Sequence, residues 1–153
     1  MLILASGITR VRSTVTARAE VTVDRPQAVV FAALADPAHP AGRSGEVIAA
    51  EVSEPIGAGS EFRLQFRHES GRLGWLDGRV SEYSPPEVVA YDVRGGRGIL
   101  RTRTTYVVEP AGAGAHVRGV FELSPPWVIR KRVQRAFQAH VEGTLNRLAE
   151  DLG

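Results

Sequence analysis

The 153-residue chain contains no cysteine, which excludes disulfides, thiol nucleophiles and cysteine-based metal sites. Lysine is nearly missing too. Lys131 stands alone among 19 basic residues, and the remaining arginines keep their charge to very high pH. A sequence pI of about 9.5 therefore accompanies a formal net charge of only +2, so no DNA partner is expected. No apolar run reaches the roughly 18 residues that a spanning helix needs. Met1-Leu2-Ile3-Leu4 is too short for the apolar region of a signal peptide, and a cytoplasmic location is the expectation. The four histidines, His39, His68, His116 and His140, show no H-x-x-x-H or H-E-x-x-H spacing, so no metal is expected. "RGGRG" at 94–98 and "GAGAH" at 112–116 lack the strand-to-helix context of a phosphate-binding loop. There is no serine nucleophile elbow either, and no nucleotide cofactor is expected.

What is present is the composition of an ordinary globular protein, 43% hydrophobic and 24% charged. The length suits one domain with a sizeable core. Residues 1–12 lack a period and read as a flexible arm before a single domain over 13–153. From Ser13 to Asp24 apolar residues alternate, with Val15, Ala17, Ala19, Val21 and Val23 on one face, which predicts a strand. The spacing then turns helical in "VDRPQAVVFAALADP", residues 23–37. Pro26 fits the first helical turn, Asp24 can help cap it, and the helix is predicted to run to Ala35. A turn-rich stretch, "DPAHPAGRSG", follows at 36–45 with room for one irregular helical turn.

Glycine and proline turns then mark off predicted strands at 47–54, 61–68, 73–83, 88–93, 99–109 and 116–123. Successive strands favour an antiparallel meander. After Ser124, the plausible cap, Trp127, Ile129, Val133, Phe137, Val141, Leu145, Leu148 and Leu152 form a helical stripe, predicting a helix over 126–151 long enough to cross a whole sheet.

"VDRPQAVVFAALADP", "PIGAGSEF", "GRVSEYSPPEVVAYDV" and "TYVVEPAGAGAHV" resemble consensus blocks of the polyketide cyclase/dehydrase-like branch of the START/Bet v 1-like (SRPBCC) superfamily, over roughly residues 15–150. The resemblance implies an α+β helix-grip fold: a curved seven-stranded antiparallel sheet wrapped around a long C-terminal helix, with short helices after strand 1 and a hydrophobic cavity between. Members bind lipids, sterols, polyketides, quinones or plant hormones, and some are cyclases or dehydratases. No shared catalytic triad is implied. Relatives often carry a tryptophan a few residues after the Asp-Pro, where this chain has only Pro37 to Arg43; Arg43 faces either an anionic ligand or solvent.

Strand parity nominates the cavity wall. Phe62, Leu64, Phe66 and His68 share one face of their strand, and Leu100, Thr102, Thr104 and Tyr106 share one face of another, with Tyr91 between them in sequence. Phe137, His140 and Val141 are the facing helix positions. The threonine–tyrosine row would supply hydroxyls to an apolar wall, or simply reflect β-propensity. "WLDGRVSEY" has two phases. Either Trp75, Asp77 and Arg79 point inward as ligand contact and buried ion pair, or Val80 points inward and all three are exposed; a bulge at Gly78 would reconcile both. The catalytic candidates are accordingly His68, Asp77, Arg79, Tyr106 and His140. Arg130, Lys131, Arg132 and Arg135 sit at the start of the last helix, where the helix dipole disfavours positive charge. They read either as a weak anionic surface contact or as a solvated face.

These observations lead to three expectations. The first is binding of a small hydrophobic ligand, whether lipid, polyketide or other aromatic, by a monomer or homodimer. The alternatives are a cyclase/dehydratase-type enzyme without metal or nucleotide cofactor, and an RNA, membrane or protein interaction module using the basic helix start.

Overall fold

The computed structural model describes residues 14–37, 46–67, 70–95, 100–124 and 130–152. The proposed arm at 1–12, and most of the turn-rich stretch after Asp36, lie outside these residues. The described residues form nine elements in order: β1 (Val15–Val23), α1 (Gln27–Ala35), β2 (Glu46–Val52), β3 (Glu61–Arg67), β4 (Leu73–Ser84), β5 (Val88–Gly95), β6 (Leu100–Ala111), β7 (Gly114–Ser124) and α2 (Arg130–Leu152). The seven strands form one curved antiparallel sheet in the order β1-β7-β6-β5-β4-β3-β2. A meander from β2 to β7 is thus closed by β1, which returns to pair with the last strand.

Alternation decides the two faces. The cross-strand register places Val80, Tyr91, Thr104, Phe121 and Ala17 in one row, and Val108, Val117 and Val21 in another. These residues face the helices. Their outer neighbours are Arg18, Glu20, Arg63, Asp92, Arg103 and Arg118, the usual half-wet face of an antiparallel sheet.

The strand β6 to strand β7 connection is tighter than the glycine-rich sequence suggests. Ala111 already pairs with Gly114, and Gly112 takes φ +61°, a conformation that L side chains rarely adopt. In β4 the apolar parity shifts at a bulge between Val80 and Glu82, so the inner face runs Leu76, Gly78, Val80 and then Tyr83. The bulge therefore sits at Ser81, three residues after Gly78.

α1 explains the abrupt turn after β1. Pro26 stands one residue before the helix, and its carbonyl accepts the amides of Val29 at 3.0 Å and Val30 at 3.1 Å; no side chain, Asp24 included, caps that end. Val30, Phe31, Ala33, Leu34 and Ala35 are buried. The helix lies across one end of β5, β6 and β7, where the Gln27 amide donates to the Val108 carbonyl at 2.9 Å and Phe31 packs on Tyr83 with ring centroids 5.7 Å apart. The hydroxyl of Tyr91, itself buried, donates to the Leu34 carbonyl at the last turn, supplying one of the carbonyls that a helix end leaves unpaired.

α2 makes its most extensive contact with β1 and a smaller one with β7, and its Val141, Leu145 and Leu148 join the core with Phe62, Leu64 and Tyr91. Val141, Leu145 and Leu148, at helical spacing, have essentially no accessible surface. Gln138 clasps the open edge of β1: its side-chain Nε2 donates to the Arg18 carbonyl at 2.8 Å and its Oε1 accepts the Arg18 amide at 3.4 Å. An amide side chain so takes the place of the missing neighbour strand. At the far end of α2, Arg25 Nε donates to the Leu152 carbonyl at 2.6 Å, a cation where the helix dipole favours one. Ser124 is the last residue of β7, and residues 125–129, where the predicted helix would start, lie outside the described part.

Candidate functional site between sheet and helices

The inner face of the sheet is not uniformly covered. Val80, Val89, Val108 and Val117, near α1, have no accessible surface, and Tyr106 and Phe121 beside them keep 4% and 7%. Phe62 and Leu64 on β3 are buried, as are Val15 and Ala17 on β1. Between these two flanks lies a strip formed by Leu76, Val93, Thr102, Thr104 and Leu123, all inward by register and all only half-buried. The strip is bounded by buried residues at both sides and at the α1 end. It continues toward the end of the sheet where β5 passes to β6.

Glycines shape this wall. A Cβ at Gly78 would lie 2.1 Å from Phe62 Cζ, and one at Gly119 would lie 2.6 Å from Phe121 Cε2. The Phe62 ring lies over the glycine opposite it on the neighbouring strand, and the Phe121 ring over the glycine two residues before it in its own strand. Phe62 in turn meets Tyr91 edge-on at 5.7 Å, and Phe121 meets Tyr106 edge-on at 5.6 Å, the geometry aromatic quadrupoles favour. The hydroxyls of Thr102 and Thr104 are the polar groups of the half-buried strip.

Several nominated residues fall on this face: Phe62, Leu64, Tyr91, Thr102, Thr104 and Tyr106 by register, and Val141 by burial. Leu76, Val93 and Leu123 were missed, although Val93 follows Tyr91 and Leu123 follows Phe121 by two residues, a parity signal the sequence carried. Phe66 and Leu100 hold inner-face register positions, opposite Gly74 and Gly95. Their side chains, those of Phe137 and His140 on α2, and all of His68 lie outside the described residues.

Trp75, Asp77 and Arg79 correct the inward alternative. Val80 is fully buried, so the strand's other parity faces out, and Trp75 is 48% exposed. Asp77 is engaged on the outer face by Arg63 Nε at 2.7 Å, and the Arg63 guanidinium sits 5.7 Å over the Trp75 ring. The alternative with Val80 inward therefore holds, without a buried Asp77–Arg79 pair: Arg79 stands opposite Asp92, also on the outer face. An open groove of about 770 Å³ runs there, lined by Arg63, Asp77, Arg79, Asp92 and Arg94 among others. Its charged, open lining contrasts with the concave, mostly apolar character of small-molecule sites.

A model of the family described as polyketide cyclase/dehydrase and lipid transport matches residues 14–153. The chain belongs to that family. No curated protein matches. Among solved structures it is similar to Ara h 8.0201, with a TM-score of 0.72, 15% identity, and 92% of this chain and 98% of that one covered. It is similar to CV1439 from Chromobacterium violaceum, with a TM-score of 0.68, 23% identity, and 90% and 96% covered. The di-domain ARO/CYC StfQ from the steffimycin biosynthetic pathway gives a TM-score of 0.74 at 12% identity, over 95% of this chain and 53% of that one. These identities carry the fold alone, and the fold is the Bet v 1-like helix grip that the sequence blocks implied. The family's description joins cyclase/dehydrase chemistry with lipid transport, two uses of a hydrophobic ligand site.

Among the described residues, no helix is long and apolar enough to cross a membrane.

Proposed function

We propose that this family member binds one small, largely apolar molecule against the central strip of the inner wall, with Thr102 and Thr104 orienting its polar group. The observation that carries the reading is the half-burial of Leu76, Val93, Thr102, Thr104 and Leu123 inside a frame of fully buried neighbours. In a core packed to ordinary density, residues so placed would be covered on all sides. A few hydroxyls on an apolar wall suit an aromatic or lipid-like molecule with one or two oxygens. The carrier reading is preferred to catalysis because Asp77 and Arg79, nominated for proton transfer, face outward. A cytoplasmic site of action belongs to the same proposal.

The test is native mass spectrometry of the protein purified from its own host, followed by denaturation and identification of any released compound. A stoichiometric apolar compound, depleted in Thr102→Val/Thr104→Val protein that melts normally, is the expected result. A clean mass that no lipid, quinone or aromatic polyketide shifts would overturn the reading, and a chemically altered panel compound would move the function to catalysis.

A further inference from the structure

The outer face carries its charges in register. One row reads Glu61, Arg79, Asp92, Arg103 and Glu122 across β3, β4, β5, β6 and β7. Every neighbour is opposite in sign, the arrangement that stabilises cross-strand pairs. Arg103 binds both carboxylate oxygens of Asp92, at 2.7 and 2.9 Å. The adjacent row begins the same way, Glu51, Arg63 and Asp77, and then breaks: Asp77 is followed by Arg94, and Arg94 by Arg101.

Two arginines directly opposite each other destabilise a sheet. Relief from acids is limited, because Asp77 is held by Arg63 and Asp92 by Arg103. Neither Arg94 nor Arg101 forms an ion pair with a described carboxylate. Both are exposed at the rim of a depression of about 310 Å³ that also includes Arg103, Ser124 and two acids, Glu122 and the Arg103-bound Asp92, and the sequence between Asp92 and Glu109 holds no acidic residue.

A second departure lies beside the first. Large apolar side chains are exposed on the same face at the start of β4, Leu73 at 51% and Trp75 at 48%. Trp75 precedes Asp77, the register partner of Arg94, by two residues. The four side chains share one face and one end of the sheet, the end where β5 passes to β6. Indole at the boundary of water and hydrocarbon, beside cations that attract anionic headgroups, is the composition that holds a protein to a charged lipid surface. A free anion would be satisfied by the arginines and would have no use for the exposed leucine and indole.

We infer that Arg94 and Arg101, with Trp75 and Leu73, form a docking patch for an anionic lipid bilayer. The patch is distinct from the inner wall, and its test needs no cavity ligand.

Sedimentation of the full-length protein with vesicles decides it, using phosphatidylcholine alone and phosphatidylcholine containing about one third phosphatidylglycerol. Binding is expected only to the second, and to weaken as salt shortens the Debye length from about 10 Å at 0.1 M to 3 Å at 1 M. Arg94→Ala/Arg101→Ala should raise the lipid concentration needed for half binding about thirtyfold, from about fivefold per arginine. Arg94→Lys/Arg101→Lys should retain most of the binding, Trp75→Ala should lose about tenfold, and Arg118→Ala, paired with Glu109 elsewhere on the same face, should change nothing. Equal binding to neutral vesicles, an unaffected double alanine variant, or equal competition by soluble glycerophosphate would overturn the inference. So would loss of binding on replacing Arg130, Lys131, Arg132 and Arg135 while Arg94→Ala/Arg101→Ala still binds. Thermal melts of every variant separate lost binding from lost folding.

Discussion

Leu64 and Leu76 are cross-strand partners on the same face of the sheet, yet Leu64 has no accessible surface while Leu76 is half-buried. The contrast shows that strand parity chooses a face but does not choose what covers it. Leu64 belongs to the contiguous core with Phe62, Tyr91 and Leu145, whereas Leu76 only borders that core and lies over Gly95, where an added Cβ would approach its Cδ2 to 2.6 Å.

Truncating each leucine separates packed core from open wall most directly. Leu64→Ala should destabilise by about 3 kcal/mol, combining lost transfer energy with a cavity that cannot collapse, whereas Leu76→Ala should cost about 1 kcal/mol. Urea melts of both variants give the numbers. Equal losses would mean that the central strip is ordinary packed core, and the ligand site would go with it.

A smaller effect is expected at the closed end. Tyr91→Phe removes the hydroxyl that holds the Leu34 carbonyl and leaves that buried acceptor short of a partner, at about 1 to 2 kcal/mol. Amides of α1 should then exchange faster with solvent while those of β5 keep their protection. Unchanged exchange in α1 would show that the helix is held by its apolar face alone, through Val30, Phe31 and Leu34.

The comparison also says which parts of this molecule the sequence could reveal. The strands were legible because alternation is a local, period-two signal: Val15 to Val23 and Leu100 to Tyr106 were placed with the right parity. The residues at β4 were not, since Trp75 and Val80 lie on opposite parities of one strand and only the bulge at Ser81, together with pairing to β3 and β5, settles which is inside. The pairing of β1 with β7 closes the sheet between residues about a hundred positions apart, and no local pattern encodes it. The Arg94–Arg101 opposition was equally hidden, because the two residues become neighbours only through the β5–β6 register.

The smallest effect belongs to the outer face, where the contrast with the inner wall becomes one of mechanism. The hydrogen bond from Arg103 holds the Asp92 carboxyl below the usual carboxylate range, helped by the charges of Arg103, Arg79 and Arg94 and opposed by partial burial. The folded state therefore binds that proton less readily than the unfolded chain. This contribution is fully present above about pH 4, the ordinary aspartate value, and is lost as pH falls through the depressed folded value. Asp92→Asn should cost about 0.5 kcal/mol at neutral pH, the scale of an exposed pair, and the difference from the native protein should close in acid and shrink with salt. Losses at Leu64 should follow neither variable. The same substitution removes one carboxylate whose charge acts on Arg79, Arg94 and Arg103, so it should strengthen binding to phosphatidylglycerol vesicles where Arg94→Ala weakens it. A stability loss at Asp92 that persists unchanged in acid would mean that its side chain acts by packing, and the alternating charge row would not be what holds the outer face.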